Sequence, residues 1–77
     1  MNPIVDKNNE VLKIGDWVQF SPSPTYFGEI IEYSLREPGF IINFFNVGHC
    51  NYDQATIAIC MEKITREEAF IRILENS

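Results

Sequence analysis

The stretch GHCNYD, residues 48 to 53, carries four side chains of types that serve in catalysis or metal binding: His49, Cys50, Asn51 and Asp53. A cysteine nucleophile needs a base placed across the fold and a third group that orients this base. On an extended chain adjacent side chains point apart, so His49 and Cys50 cannot form that pair directly. A structural zinc needs four ligands, normally in closely spaced pairs, whereas Cys60 follows Cys50 by ten residues. We therefore expect a polar loop with an exposed His49, and neither a metal site nor thiol catalysis.

Two pairs of carboxylates have sufficient structural explanations. Glu29 and Glu32 fall on opposite faces of a predicted strand, so they cannot act together as acid and base. Glu67 and Glu68 fall in the first turn of a predicted helix, where the helix dipole favours negative charge. We predict a protein that is not an enzyme and that uses no cofactor.

The length and composition predict one globular domain over residues 1 to 77. A hydrophobic content of 45% with 13% aromatic residues is enough to build a core and argues against disorder. No apolar run approaches the roughly 20 residues that a spanning helix needs. The opening MNPIVDKNNE lacks the basic start and apolar stretch of a signal peptide, and two cysteines are few for a secreted scaffold. We expect a cytoplasmic protein with reduced thiols and no membrane contact.

The charge balance bears on the class of partner. The net charge is −5, and the Lys and Arg residues are scattered among acids rather than clustered. Proteins that bind nucleic acids usually present a basic face, because neutralised phosphates supply much of the affinity. The sequence therefore makes nucleic acid an unlikely partner.

Period-two patterns and turn residues predict four or five strands. Residues 4 to 20 are interpreted as two short strands around a turn at residues 6 to 9, where two Asn residues suit a tight reversal. Further strands are predicted over residues 27–33, 40–46 and 55–61, the last with Ile57, Ile59 and Met61 on one face. Prolines 22 and 24 make residues 21–26 a loop, and residues 47–54 are predicted to form a second loop.

The last segment changes period and predicts a terminal helix over residues 66 to 75. Thr65 followed by Glu68 has the spacing of a capping box. Phe70, Ile73 and Leu74 fall on an apolar stripe that must be covered, because an isolated helix of about three turns is unstable. We expect this stripe to pack on the strands and to cover Trp17.

The phrases GDWVQF, TYFGEIIEY, FIINFFNVGH and MEKI together resemble the SH3-like small barrels of the Tudor and KOW kind, over about residues 12 to 64. The resemblance implies a mainly β fold: an SH3-like barrel of four to five antiparallel strands, spanning about residues 4–64, followed by the C-terminal helix. Barrels of this superfamily serve many unrelated functions, so the resemblance points to a fold more than to an activity.

The Tudor resemblance implies an aromatic cage for methylated Lys or Arg, in which Tyr26 and Phe44 match two cage positions. Two other positions depart from that pattern, since Val47 replaces an aromatic residue and His49 replaces an Asn. The KOW resemblance implies contact with nucleic acid, for which exposed tyrosines could stack on bases.

From these observations we predict a non-catalytic protein-interaction or accessory module. Its partner would meet the loop at residues 21–27 and the loop at residues 47–54, which lie at one end of such barrels. The candidate contact residues are Tyr26, Phe27, Phe44, His49 and Tyr52. The alternatives are an oligonucleotide-binding module and an acidic inhibitor that mimics nucleic acid.

Overall fold

The computed structural model describes residues 3–34 and 38–76. Five antiparallel strands form a single sheet: β1 Trp17–Phe20, β2 Phe27–Tyr33, β3 Gly39–Phe44, β4 Gly48–Asp53 and β5 Met61–Ile64. Two helices accompany them: α1 Gln54–Cys60 and α2 Arg66–Glu75. The predicted fold class is confirmed, since the protein is mainly β, with five antiparallel strands and a C-terminal helix in an arrangement consistent with a small barrel.

The sheet has the order β4-β3-β2-β1-β5. The first four strands follow one another as a meander, and β5 returns to pair with β1, with Trp17 opposite Ile64 and Phe20 opposite Met61. The sheet curls strongly: Phe44 and Tyr52 lie at opposite ends of the β3–β4 pairing, yet their ring centroids are 5.9 Å apart. This curl gives the sheet an inner and an outer face.

The inner face encloses the main core, which we call the interior cluster. Its buried members come from the N-terminal segment, all strands but β4, and α1: Ile4, Leu12, Val18, Ile30, Phe40, Ile42, Phe44, Ile57 and Met61. Strand β4 contributes partly buried Cys50 and Tyr52. Strand β1 has the period-two pattern of a half-buried strand, since Val18 points into this cluster while Trp17 points to the other side.

A second cluster lies on the outer face, beneath α2, and we call it the outer cluster. Phe27, Ile64 and Ala69 are buried in it, with Trp17, Phe45 and Ile73 packed around them. Trp17 meets the edge of the Phe70 ring at a centroid distance of 6.0 Å. The prediction that the terminal helix covers Trp17 is confirmed, because α2 packs on the face that carries Trp17.

The helix α2 has the predicted limits but a different buried face. The Thr65 hydroxyl accepts a hydrogen bond from the Glu68 backbone N–H at 3.1 Å, as a capping residue should. Ala69 is the fully buried residue and Ile73 packs beside it, whereas Leu74 is 74% exposed. The prediction that Leu74 packs on the strands is wrong, because the buried face of the helix is centred between Ala69 and Ile73.

The segment from residue 47 to residue 61 differs most from its prediction. The predicted loop contains β4, which pairs with β3 over six residues, from Gly48 opposite Phe44 to Asp53 opposite Gly39. Most of the segment predicted as a strand over residues 55–61 forms the helix α1 instead. Asp53 caps this helix, since its carboxylate accepts a hydrogen bond from the Thr56 N–H at 2.7 Å. In this helix Ile57 is buried while Ile59 is largely exposed, so the two do not share a face.

The N-terminal segment forms a tight turn rather than two full strands. Val5 and Val11 make one isolated bridge, and Asn9 adopts a left-handed backbone with φ of 64°. Asp6 lies buried at the centre of the turn. The turn predicted at residues 6 to 9 is confirmed, whereas the strands around it shrink to a single bridge.

Candidate functional site

The loop at residues 21–26, between β1 and β2, is held by its own backbone. Ser23 N–H donates to the Phe20 carbonyl at 2.9 Å, and Tyr26 N–H donates to the Ser23 carbonyl at 3.0 Å. Phe20 N–H in turn donates to the Tyr26 carbonyl at 2.8 Å, which closes the loop. Prolines 22 and 24 restrict φ within it. Backbone hydrogen bonds and two prolines therefore restrict the conformation of the loop.

Arg72 ties this loop to the terminal helix. Its guanidinium donates to the Pro24 carbonyl at 3.1 Å and to the Glu68 carboxylate at 2.9 Å. The same guanidinium carbon lies 5.6 Å from the centroid of the Phe27 ring, a cation–π distance. An open groove of about 280 Å³ lies between the loop and the end of the helix, lined by Pro24, Thr25, Phe27, Arg72 and Asn76. Nothing in the sequence pairs Arg72 with Pro24, so sequence reasoning missed this contact.

The turn between β3 and β4, residues 45–47, lies at the same end of the molecule. Phe45 N–H donates to the Phe27 carbonyl at 2.9 Å, and Gly28 is paired with Phe44. Val47 projects from this turn and is exposed. We call the surface formed by residues 21–26 and 45–47 the loop end. Only the beginning of the predicted loop at residues 47–54 lies beside the loop at residues 21–26, because residues 48–53 form strand β4.

The five predicted contact residues divide between surface and core. Tyr26 is 48% exposed at the loop end, and His49 is exposed on β4. Phe27 and Phe44 are 2% and 3% exposed, so both rings are core residues and offer no contact area. Tyr52 is partly buried against the interior cluster. Because Phe44 is covered, it cannot line an open aromatic cage with Tyr26.

The thiols and Tyr52 lie close together where α1 meets β4. The pKa of the Tyr52 hydroxyl is raised above its ordinary value, chiefly because burial disfavours the charged form and further because Cys50 and Cys60 are nearby. Both cysteines are unpaired. Within residues 3–34 and 38–76, no three His, Cys, Asp or Glu side chains are grouped so as to hold a metal ion. Neither helix of the described chain has the length and apolar character needed to cross a membrane.

Comparison of the chain with protein-family models, with curated proteins and with solved structures gives no match.

Proposed function

We propose that this protein is a non-catalytic protein-binding module that contacts its partner through the loop end, with Tyr26 as the principal contact residue. One observation carries the proposal: Tyr26 is 48% exposed on a loop whose backbone is fixed by three internal hydrogen bonds and by Arg72. An aromatic side chain on a rigid loop loses little conformational entropy on binding, and tyrosine is among the commonest binding hot spots.

The surroundings of Tyr26 support a protein partner. Exposed Val47 lies at the same end of the sheet, and the groove beside Pro24 adds a concave surface next to the loop. Pro24 supplies apolar surface in the groove, the nearly buried Phe27 ring adds little, and Arg72 and Asn76 supply polar groups. Such a mixture of apolar area and a few polar groups is typical of a recognition site for a peptide segment.

We further propose that the module belongs among the SH3-like small barrels, with the resemblance to Tudor and KOW domains as one support. The sheet order, with β5 returning to β1 after a four-stranded meander, is a second support. Burial of Phe44 favours binding of a protein segment over capture of a methylated side chain. The unpaired Cys50 and Cys60 favour a reducing, cytoplasmic location.

The proposal is tested by comparing Tyr26→Ala with Tyr33→Ala in quantitative affinity capture from the source cell. Tyr33 is the matched control, because it is 56% exposed but lies at the other end of β2. We expect Tyr26→Ala to lose specific partners that Tyr33→Ala retains, with both variants folded by circular dichroism. Equal capture by the wild type and the folded Tyr26→Ala variant would remove the loop end as the contact site.

A further inference from the structure

Strand β4 is an edge strand, and alternate residues direct their backbone groups away from the sheet. Gln54 N–H donates to the Pro38 carbonyl at 2.7 Å, in the same register that pairs Asp53 with Gly39. Hydrogen-bonded and non-bonded pairs alternate along an antiparallel ladder. Two sets of β4 residues follow. Those that bond to β3 are Gly48, Cys50 and Tyr52. Those whose N–H and C=O groups both face outward are His49 and Asn51, and Asp53 adds its N–H, because its C=O begins the hydrogen bonding of α1.

The outward-facing groups of His49 and Asn51 have no partner within the part of the chain that the structure describes. The side chains of both residues are exposed as well. The free edge of β4 therefore presents a row of donors and acceptors at the spacing of an extended strand. Such a row is a template for pairing with another strand.

The other edge of the sheet is closed by the chain itself. Lys7 N–H donates to the Met61 carbonyl at 2.8 Å, and Lys63 N–H donates to the Asp6 carboxylate at 2.8 Å. Met61 N–H is bonded to the Ile57 carbonyl at the end of α1. The N-terminal turn thus covers β5, while β4 is left open.

We propose that the free edge of β4 pairs antiparallel with β4 of a second copy of this chain, with Asn51 opposite Asn51 at the two-fold axis. A head-to-tail assembly would need β4 of one copy to pair with β5 of the next, and the N-terminal turn occupies that edge. Pairing of like edges closes after two copies and leaves no edge for further growth.

The register centred on Asn51 uses all three outward-facing residues. It places His49 of one copy opposite Asp53 of the second copy, and this pair occurs twice because of the symmetry. The pair is complementary, because an imidazole N–H can donate a hydrogen bond to a carboxylate oxygen across the strand pair. Hydrogen bonds from the Thr56 side chain and backbone lower the pKa of Asp53, which favours its ionised form. If the two-fold axis passed through residue 50 or residue 52, Asp53 or His49 would have no outward-facing residue opposite it. The pair between His49 and Asp53 would then be lost.

Sedimentation equilibrium from micromolar to millimolar protein concentration tests the proposal, with His49→Asp and His49→Lys as a matched pair. Both substitutions fall on an exposed side chain of an edge strand. His49→Asp places two carboxylates opposite each other at both ends of the interface, and we expect dimer affinity to fall about tenfold. His49→Lys places a cation opposite the Asp53 carboxylate at both ends, and we expect dimer affinity at or above that of the wild type.

Amide hydrogen exchange gives a second measurement, because dimerisation through another surface would not protect the β4 edge amides. We expect the N–H groups of His49 and Asn51 to be exposed to exchange in dilute protein and protected at high concentration. Those of Cys50 and Tyr52, which bond to β3, should be protected at both concentrations. The Tyr26→Ala variant should dimerise like the wild type, so failure of this proposal is separable from failure of the loop-end proposal.

Two results would overturn the proposal. One is a monomer throughout the concentration range. The other is a dimer whose affinity His49→Asp leaves unchanged and in which the His49 and Asn51 amides show no concentration-dependent protection. The interface would then lie on another surface, such as the exposed apolar side chains of α2: Phe70, Ile71 and Leu74.

Discussion

At the scale of single residues, Asp6 has the most consequential environment. It is buried, and its carboxylate accepts backbone hydrogen bonds from Asn8 at 2.9 Å, Glu10 at 2.8 Å and Lys63 at 2.8 Å. The first two shape the N-terminal turn, and the third fastens that turn to β5. A buried carboxylate is tolerated when backbone N–H groups replace the water it loses. One side chain therefore both folds the turn and closes a sheet edge.

We expect Asp6→Ala to lower the free energy of unfolding by about 3 kcal/mol or more, because three N–H groups lose a charged acceptor. Urea unfolding followed by circular dichroism measures the loss. Glu10→Ala is the matched control, since Glu10 is exposed in the same turn and only its backbone takes part in the bonding. A variant at Asp6 as stable as the variant at Glu10 would mean that the carboxylate does not hold the turn.

At the scale of secondary structure, both helices begin with a side-chain cap. The Asp53 carboxylate caps α1 through Thr56, and the Thr65 hydroxyl caps α2 through Glu68. The two caps differ in charge, which makes them distinguishable by pH. The pKa of Asp53 is lowered by hydrogen bonds from the Thr56 side chain and then from its backbone N–H. A carboxyl group whose pKa is lower in the folded state stabilises the fold above its unfolded pKa.

We expect the stability difference between the wild type and Asp53→Ala to be complete at neutral pH. It should shrink as the pH falls below about 4, the ordinary range of an aspartate, through the lower pKa of the folded state. The difference between the wild type and Thr65→Ala should stay near 1 kcal/mol over the same range, because a hydroxyl does not titrate there. Thermal unfolding from pH 7 to about pH 2.5 measures both; parallel curves for the two variants would contradict an ionised cap at Asp53.

At the scale of the whole molecule, the charge balance bears on the proposed class of partner. The net charge is −5, and two of the cations are paired, Lys63 with Asp16 at 3.7 Å and Arg72 with Glu68 at 2.9 Å. When unpaired Lys and Arg side chains neutralise phosphates, counterions leave the nucleic acid, and this release supplies binding free energy. A basic side chain that is already paired within the protein is less available for such a contact. The charge distribution favours a protein partner over a nucleic acid.

We expect no binding of single-stranded or duplex oligonucleotides at physiological salt in fluorescence anisotropy titrations. Lowering the salt should not reveal binding either, because repulsion between two anionic molecules grows as screening falls. Micromolar affinity that weakens steeply with added salt would contradict this and would favour an oligonucleotide-binding module.

Local signals in the sequence were sufficient for several elements. The capping pair of Thr65 and Glu68 and the change to a helical period predicted α2 within its observed limits. Alternation in WVQF predicted β1, and paired asparagines predicted the first turn. These features depend on neighbours within a few residues, so the sequence determines them with little help from the rest of the fold.

The limits of β2 were also predicted, but a bulge between Ile30 and Glu32 breaks its alternation. The prediction that Glu29 and Glu32 lie on opposite faces is therefore wrong, because they pair with Asn43 and Ile41, which share one face of β3.

Tertiary contacts decided what local patterns left open. Residues 54–60 are rich in Ala and Ile, which suit either a helix or a strand, and they form α1. Strand β4 pairs with β3 instead, and its alternate residues Cys50 and Tyr52 pack against the interior cluster. The sequence predicted Phe27 as a contact residue, whereas packing of α2 on the sheet buries its ring. Which edge of the sheet stays open depends on Asp6 reaching Lys63, 57 residues further along the chain. Spacing indicates which side chains share a face where an element is regular. Bulges, strand registers and the covering of a face or an edge depend on long-range packing, which local patterns do not contain.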